Sequence, residues 1–169
     1  MRTLRILPAA AVFAALPMLA ADPPKVAPPE DVAFAKEASQ GNMTEVALGR
    51  LAAEKGTDPQ VKKFGQEMVK DHTKAQKNLR SAATREGISK EVPGALDTEH
   101  QEAVEKFSKL SGAEFDAAYK KDMLEDHEKD VAAFEKESHG TTQIGKFASD
   151  TLPTLQHHLK MAQEMSGPK

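Results

Sequence analysis

Cysteine and tryptophan are absent, and tyrosine occurs once. Without cysteine there is no disulfide framework, no thiolate nucleophile and no thiolate metal site. There is also no cysteine after the leader to carry a lipid. Long apolar runs are missing beyond the first twenty or so residues, so nothing later in the chain reads as a membrane span of about 20 residues. No block of lysine and arginine stands out, and the net charge is −3. Phosphate recognition needs clustered cations, so nucleic acid is not expected as a partner. Alternation of polar and apolar residues is missing too, which argues against strands.

What is present begins with an export pattern. Arg2 and Arg5 precede an apolar run from Ile6 to Leu19, followed by the small residues Ala20 and Ala21. That order predicts a signal peptide over 1–21, cleaved after Ala21, and a periplasmic or secreted mature protein. An uncleaved membrane anchor is the alternative. Residues 22–30 hold Pro23, Pro24, Pro28 and Pro29 and read as an extended linker. The remaining residues, 31–166, suffice for one domain.

Apolar residues there recur at helical spacing. A first helix is expected over about 30–55, with Phe34, Ala38, Leu48 and Ala52 on its stripe. Gly56 ends it, and Asp58 with Pro59 opens a second helix that Gly87 closes. Two capping boxes, Thr98 with Gln101 and Ser111 with Glu114, predict a short helix and then a third long one ending near Gly140. A last helix starts near Thr142, with a kink expected at Pro153. Four long helices with one short crossover helix give an all-α, ferritin-like four-helix bundle.

Each long helix carries one ligand-type side chain where an apolar one is expected. At about 100° per residue, Glu45 falls in line with Phe34 and Ala52. His72 lies between Met68 and Ala75, His127 between Met123 and Val131, and His158 in line with Phe147 and Ala162. Counted from the turns, the four groups stand at similar heights. They can therefore converge at mid-bundle as three imidazoles and a carboxylate, a set that suits one zinc, copper or iron ion. Met68, Met123 and Met161 nearby would favour copper. The alternative is a buried polar network without metal, in which the histidines donate to Glu45. His157 competes with His158 for the inward position; His100 and His139 read as solvent-facing. Asp71 and Asp126 are expected to pair with Lys74 and Lys129 at the surface, with support of a ligand across helices as the alternative.

A short repeat links two of these helices. Met68-Val69-Lys70-Asp71-His72-Thr73-Lys74 matches Met123-Leu124-Glu125-Asp126-His127-Glu128-Lys129. It suggests two related hairpins, although Lys- and Glu-rich helices resemble one another easily. The Glu-x-x-His pair of di-iron bundles is missing, since Val69, Leu124 and Leu155 stand three residues before the histidines. No nucleotide loop, Ser-His-Asp set or organic-cofactor motif is recognisable, so an enzyme is not the favoured reading.

Four segments in order resemble one family: Gln40 to Gly49, Phe64 to His72, Asp126 to Lys129 with Phe134-Glu135, and Leu152 to Leu159. The family is the uncharacterised exported bacterial ferritin-like domain, a domain of unknown function often labelled a membrane or outer-membrane protein. The resemblance runs from Asp31 to Met165 and implies fold and export. Its motif positions coincide with Glu45, His72, His127 and His158. Two functions follow as expectations: a metal-binding bundle for metal buffering, tolerance or stress protection, and a structural or interaction module of the cell envelope. An oxidoreductase using the bound metal is a third.

Overall fold

The computed structural model describes residues 27–167. The expected signal peptide and most of the expected linker lie outside them. The described residues form five helices: α1 (Pro29–Lys55), α2 (Pro59–Glu86), α3 (Thr98–Ser108), α4 (Gly112–Glu137) and α5 (Gln143–Ser166). The four long helices make a ferritin-like bundle, with α3 in the crossover. No helix among the described residues is long and apolar enough to cross a membrane.

The turn between α1 and α2 sets one end of the bundle. Asp58 caps α2 by accepting from the Gln60 amide at 2.8 Å. The Asp116 carboxylate of α4 accepts from the amides of Thr57 at 3.1 Å and Asp58 at 2.9 Å, and from the Thr57 hydroxyl. This contact places the start of α4 beside the start of α2. The two helices therefore run the same way, and the crossover must return the full length of the bundle. It does so along α1: Ser39 donates to the Pro93 carbonyl at 3.0 Å, Gln40 to the Ala95 carbonyl at 3.2 Å, and Lys55 to the Ser108 carbonyl.

Around the bundle the order is α1, α2, α5, α4. The α1–α2 seam is closest where Gly49 meets Gly65. A Cβ on either would come within 2.6 Å of the other's carbonyl oxygen, so both positions demand glycine. Gly49 lies one turn beyond Glu45, and Gly65 about two turns before His72, so this approach fixes the spacing of those side chains.

Two details of helix initiation depart from the sequence reading. The cap of α3 is Asp97, whose carboxylate accepts from the His100 amide at 3.0 Å, and not Thr98. A charged acceptor one residue earlier suits the positive end of the helix better than a hydroxyl. Ser111 stands at the N-cap of α4, but its hydroxyl makes no capping bond; Gly112 enters that helix at φ 60°, a left-handed conformation open to glycine. α5 continues through Pro153.

The apolar core is divided. One cluster is built around Leu79, Ile144, Phe147 and Leu155. The other is built around Leu48, Phe64, Met68, Phe115, Tyr119 and Met123. The layer between them is polar.

Candidate metal centre

That layer consists of Glu45 from α1, His72 from α2, His127 from α4 and His158 from α5. Their residual exposures are 3%, 2%, 0% and 0%. All four positions read from helical periodicity therefore meet inside the bundle. The ring centroids of His72, His127 and His158 lie 5.3 to 5.9 Å apart. One ring nitrogen from each falls within 4.8 Å of those of the other two, a spacing that could hold a metal ion. Phe64 stands edge-on to His127 and His158, at 6.0 and 6.2 Å, and walls the layer on the side of the second apolar cluster.

Each ring is oriented through one nitrogen and left open at the other. His127 donates from Nδ1 to the Met123 carbonyl at 2.9 Å, so its lone pair sits on Nε2. Asn42 turns its amide nitrogen to Gln76, so its oxygen accepts from His72 Nδ1 at 3.0 Å. His158 donates from Nε2 to Asp71 at 3.3 Å. The remaining nitrogens, His72 Nε2, His127 Nε2 and His158 Nδ1, are buried and without a hydrogen bond. An unpaired buried polar atom costs on the order of 1–3 kcal/mol, and three at one place call for a shared partner. A carbonyl, amide or carboxylate behind each imidazole is how metal-binding histidines are oriented.

Glu45 adds charge on the α1 side. Its Oε2 lies 2.7 Å from His72 Nδ1 and its Oε1 3.3 Å from His127 Nε2, yet neither oxygen has a hydrogen bond. The second contact sets two lone pairs against each other, which a cation between them would relieve. Burial pushes the Glu45 carboxyl up to about 7, and the neighbouring His127 only partly offsets it. Burial drives His72 down to about 4. Burial, then the neighbouring His72, drives His158 down to about 4, and burial likewise lowers His127. The imidazoles are thus held neutral, the form that ligates.

His157 is exposed, which answers the choice between it and His158. His139 is exposed as expected, and His100 is partly covered, 2.7 Å from the Asp97 carboxylate. Asp126 does pair with Lys129, at 3.2 Å. Asp71 follows the alternative and not the pairing with Lys74: it reaches across to His158 and lies 3.4 Å from Lys70. A position about 100° from His72 on its own helix points along the α2–α5 seam, where His158 lies. Sequence reasoning missed Asn42 and Asp130. Burial, then the Glu45 charge, pushes the half-buried Asp130 up to about 8. Its spacing of three residues after His127 was the available signal.

The pattern of one family, Domain of unknown function (DUF4142), matches residues 15–165. The chain belongs to the DUF4142 family. A comparison with curated proteins finds no match. Among solved structures, this DUF4142 chain is similar to a DUF305 fragment from Deinococcus radiodurans, with a TM-score of 0.70 and 15% sequence identity. The similarity covers 85% of this chain and 99% of that one. At that identity it speaks for the fold alone.

Proposed function

We propose that this DUF4142 protein is an exported metal-binding bundle that holds one transition-metal ion between His72, His127 and His158, with Glu45 as fourth ligand or counter-charge. The observation that carries the reading is the convergence of three buried imidazoles, one nitrogen of each within 4.8 Å of the others, every ring hydrogen-bonded through one nitrogen and unpaired at the other. Three neutral imidazoles and a carboxylate suit zinc, copper(II) or iron(II). Met68 and Met123 are fully buried one turn before His72 and His127, and a thioether contribution would favour copper. Buffering or tolerance of such a metal fits a donor set closed inside a bundle better than turnover of a substrate does. Export is supported by Arg2, Arg5 and the apolar run up to Leu19.

The test is a titration of the untagged mature chain, begun at Asp22, with zinc, copper and iron, followed by mass spectrometry of the bound metal. About one equivalent is expected, as for a single closed site. It should be lost in a His72→Ala/His127→Ala/His158→Ala variant shown by circular dichroism to remain helical. A folded wild-type protein that binds none of the three metals would leave the layer as a polar network and turn attention to partners at the envelope.

A further inference from the structure

The buried centre has a weak wall between α2 and α5. On the α1 side it is closed by Glu45 and by a hydrogen-bonded chain running from His72 through Asn42, Gln76 and Ser39 to the Pro93 carbonyl. Along the bundle axis the two apolar clusters close it. Between α2 and α5, however, lies a cavity of about 70 Å³ whose lining includes both His72 and His158. Outward from the histidines the lining is polar: the oxygens of Asp71, Asp150 and Thr154, with Asn78 and the Lys74 ammonium beside them. Asp71 links the two zones, because the carboxylate that lines the cavity is the one that accepts from His158.

We propose that this cavity is the exchange portal of the three-histidine centre, through which a divalent cation passes singly between α2 and α5, handed from the Asp150 and Asp71 carboxylates, which outnumber the Lys74 ammonium at the mouth, to His158 and His72. The inference rests on the metal-binding reading and adds its route and its size limit. Carboxylate, hydroxyl and amide oxygens can replace part of a cation's hydration shell on the way in. The volume has room for a few water molecules, each needing about 10–15 Å³ of such space. A stripped cation or a water fits; a chelator the size of EDTA does not. Metal therefore leaves by dissociation into the portal before any chelator meets it.

The experiment uses the full mature chain with cobalt(II), whose visible absorption reports occupancy, and EDTA as the acceptor. Release from the wild-type protein should proceed at a rate independent of EDTA concentration. Thr154→Phe, which fills the cavity from α5, should slow loading and release together by about tenfold or more, while affinity moves by less than about threefold, because a barrier raised between two states changes both rates alike. Gln66→Phe, an exposed position on α2 that does not line the cavity, should leave both rates unchanged. Asn78→Trp covers the mouth from an exposed position and decides the matter if Thr154→Phe does not fold. Release that accelerates in proportion to EDTA, or wild-type rates in the folded portal variants, would overturn the portal while leaving the centre in place. Failure of the wild-type chain to take up cobalt would remove the centre and the portal with it.

Discussion

Oε2 of Glu45 lies 2.7 Å from Nδ1 of His72, with both side chains sealed inside the bundle and no lysine or arginine among the groups that set the Glu45 pKa. A carboxylate in that position destabilises a metal-free protein, because burial disfavours its charge more than the neutral imidazoles can repay. Glu45→Gln should therefore raise the metal-free chain's resistance to urea at pH 8, where Glu45 is ionised, and have little effect at pH 4.5. The same substitution should weaken metal binding. Chemical denaturation at the two pH values, with a parallel metal titration, checks both halves.

His127 lies within α4 and His139 just past its end, and their environments are opposite, one buried and one exposed. His127→Ala should abolish stoichiometric metal binding and lower stability by about 2 kcal/mol or more, since it opens a cavity and removes a bond to the Met123 carbonyl. His139→Ala should change neither. Equal and negligible effects in urea melts and metal titrations would contradict a centre at mid-bundle.

Asp71 orients His158 without standing among the three rings. Asp71→Asn should lower metal affinity by about tenfold, in the range found for residues that hold a ligating histidine. Thermal stability of the metal-free protein should scarcely change, because the side chain is near the surface. Competition against a zinc chromophore measures the first, and calorimetry the second.

The glycine contact between α1 and α2 carries a steric prediction. Gly65→Ala places a methyl group against the Gly49 carbonyl and the Ala52 side chain. It should cost about 1–3 kcal/mol by overpacking, and it should also loosen metal binding by spreading Glu45 from His72. An alanine that stabilised the helix instead, as propensity alone would have it, would show that the seam can open freely.

Asp116 predicts acid sensitivity at the opposite end of the bundle. Burial would raise its pKa, but the Thr57 hydroxyl and the amides of Asp58 and Thr57 hold the carboxyl below its ordinary 3.8. A group depressed in the folded state contributes stability that is present above its unfolded pKa and is lost as pH falls through the folded one. Asp116→Asn should accordingly be less stable than wild type at pH 6, and the difference should shrink below about pH 4. Urea midpoints across that range supply the measurement.

The polar layer was legible in the sequence because a helix places residues by counting. Once Phe34, Met68, Met123 and Phe147 define the inward direction, Glu45, His72, His127 and His158 fall on it without any tertiary information. The crossover was equally accessible, since the segment from Gly87 to Ser111 is too long for a tight turn. What counting cannot supply is contact between neighbouring helices away from the core axis. Asp71 sits off the stripe of α2, and only the packing of α5 against α2 gives it His158 as a partner. Asn42 reads as an ordinary polar residue until the α1–α2 seam sets it beside His72. The cap of α3 moved to Asp97 because two adjacent residues can serve as caps, and the choice depends on which acceptor reaches the free amides.

Anomalous diffraction from crystals soaked in zinc, copper or iron, recorded above the absorption edge of the metal, tests the centre most directly. The expected result is one strong peak among His72 Nε2, His127 Nε2 and His158 Nδ1, at about 2.0–2.1 Å from each if the metal is zinc. Peaks confined to surface carboxylates or to His157, with the three rings unchanged, would contradict it.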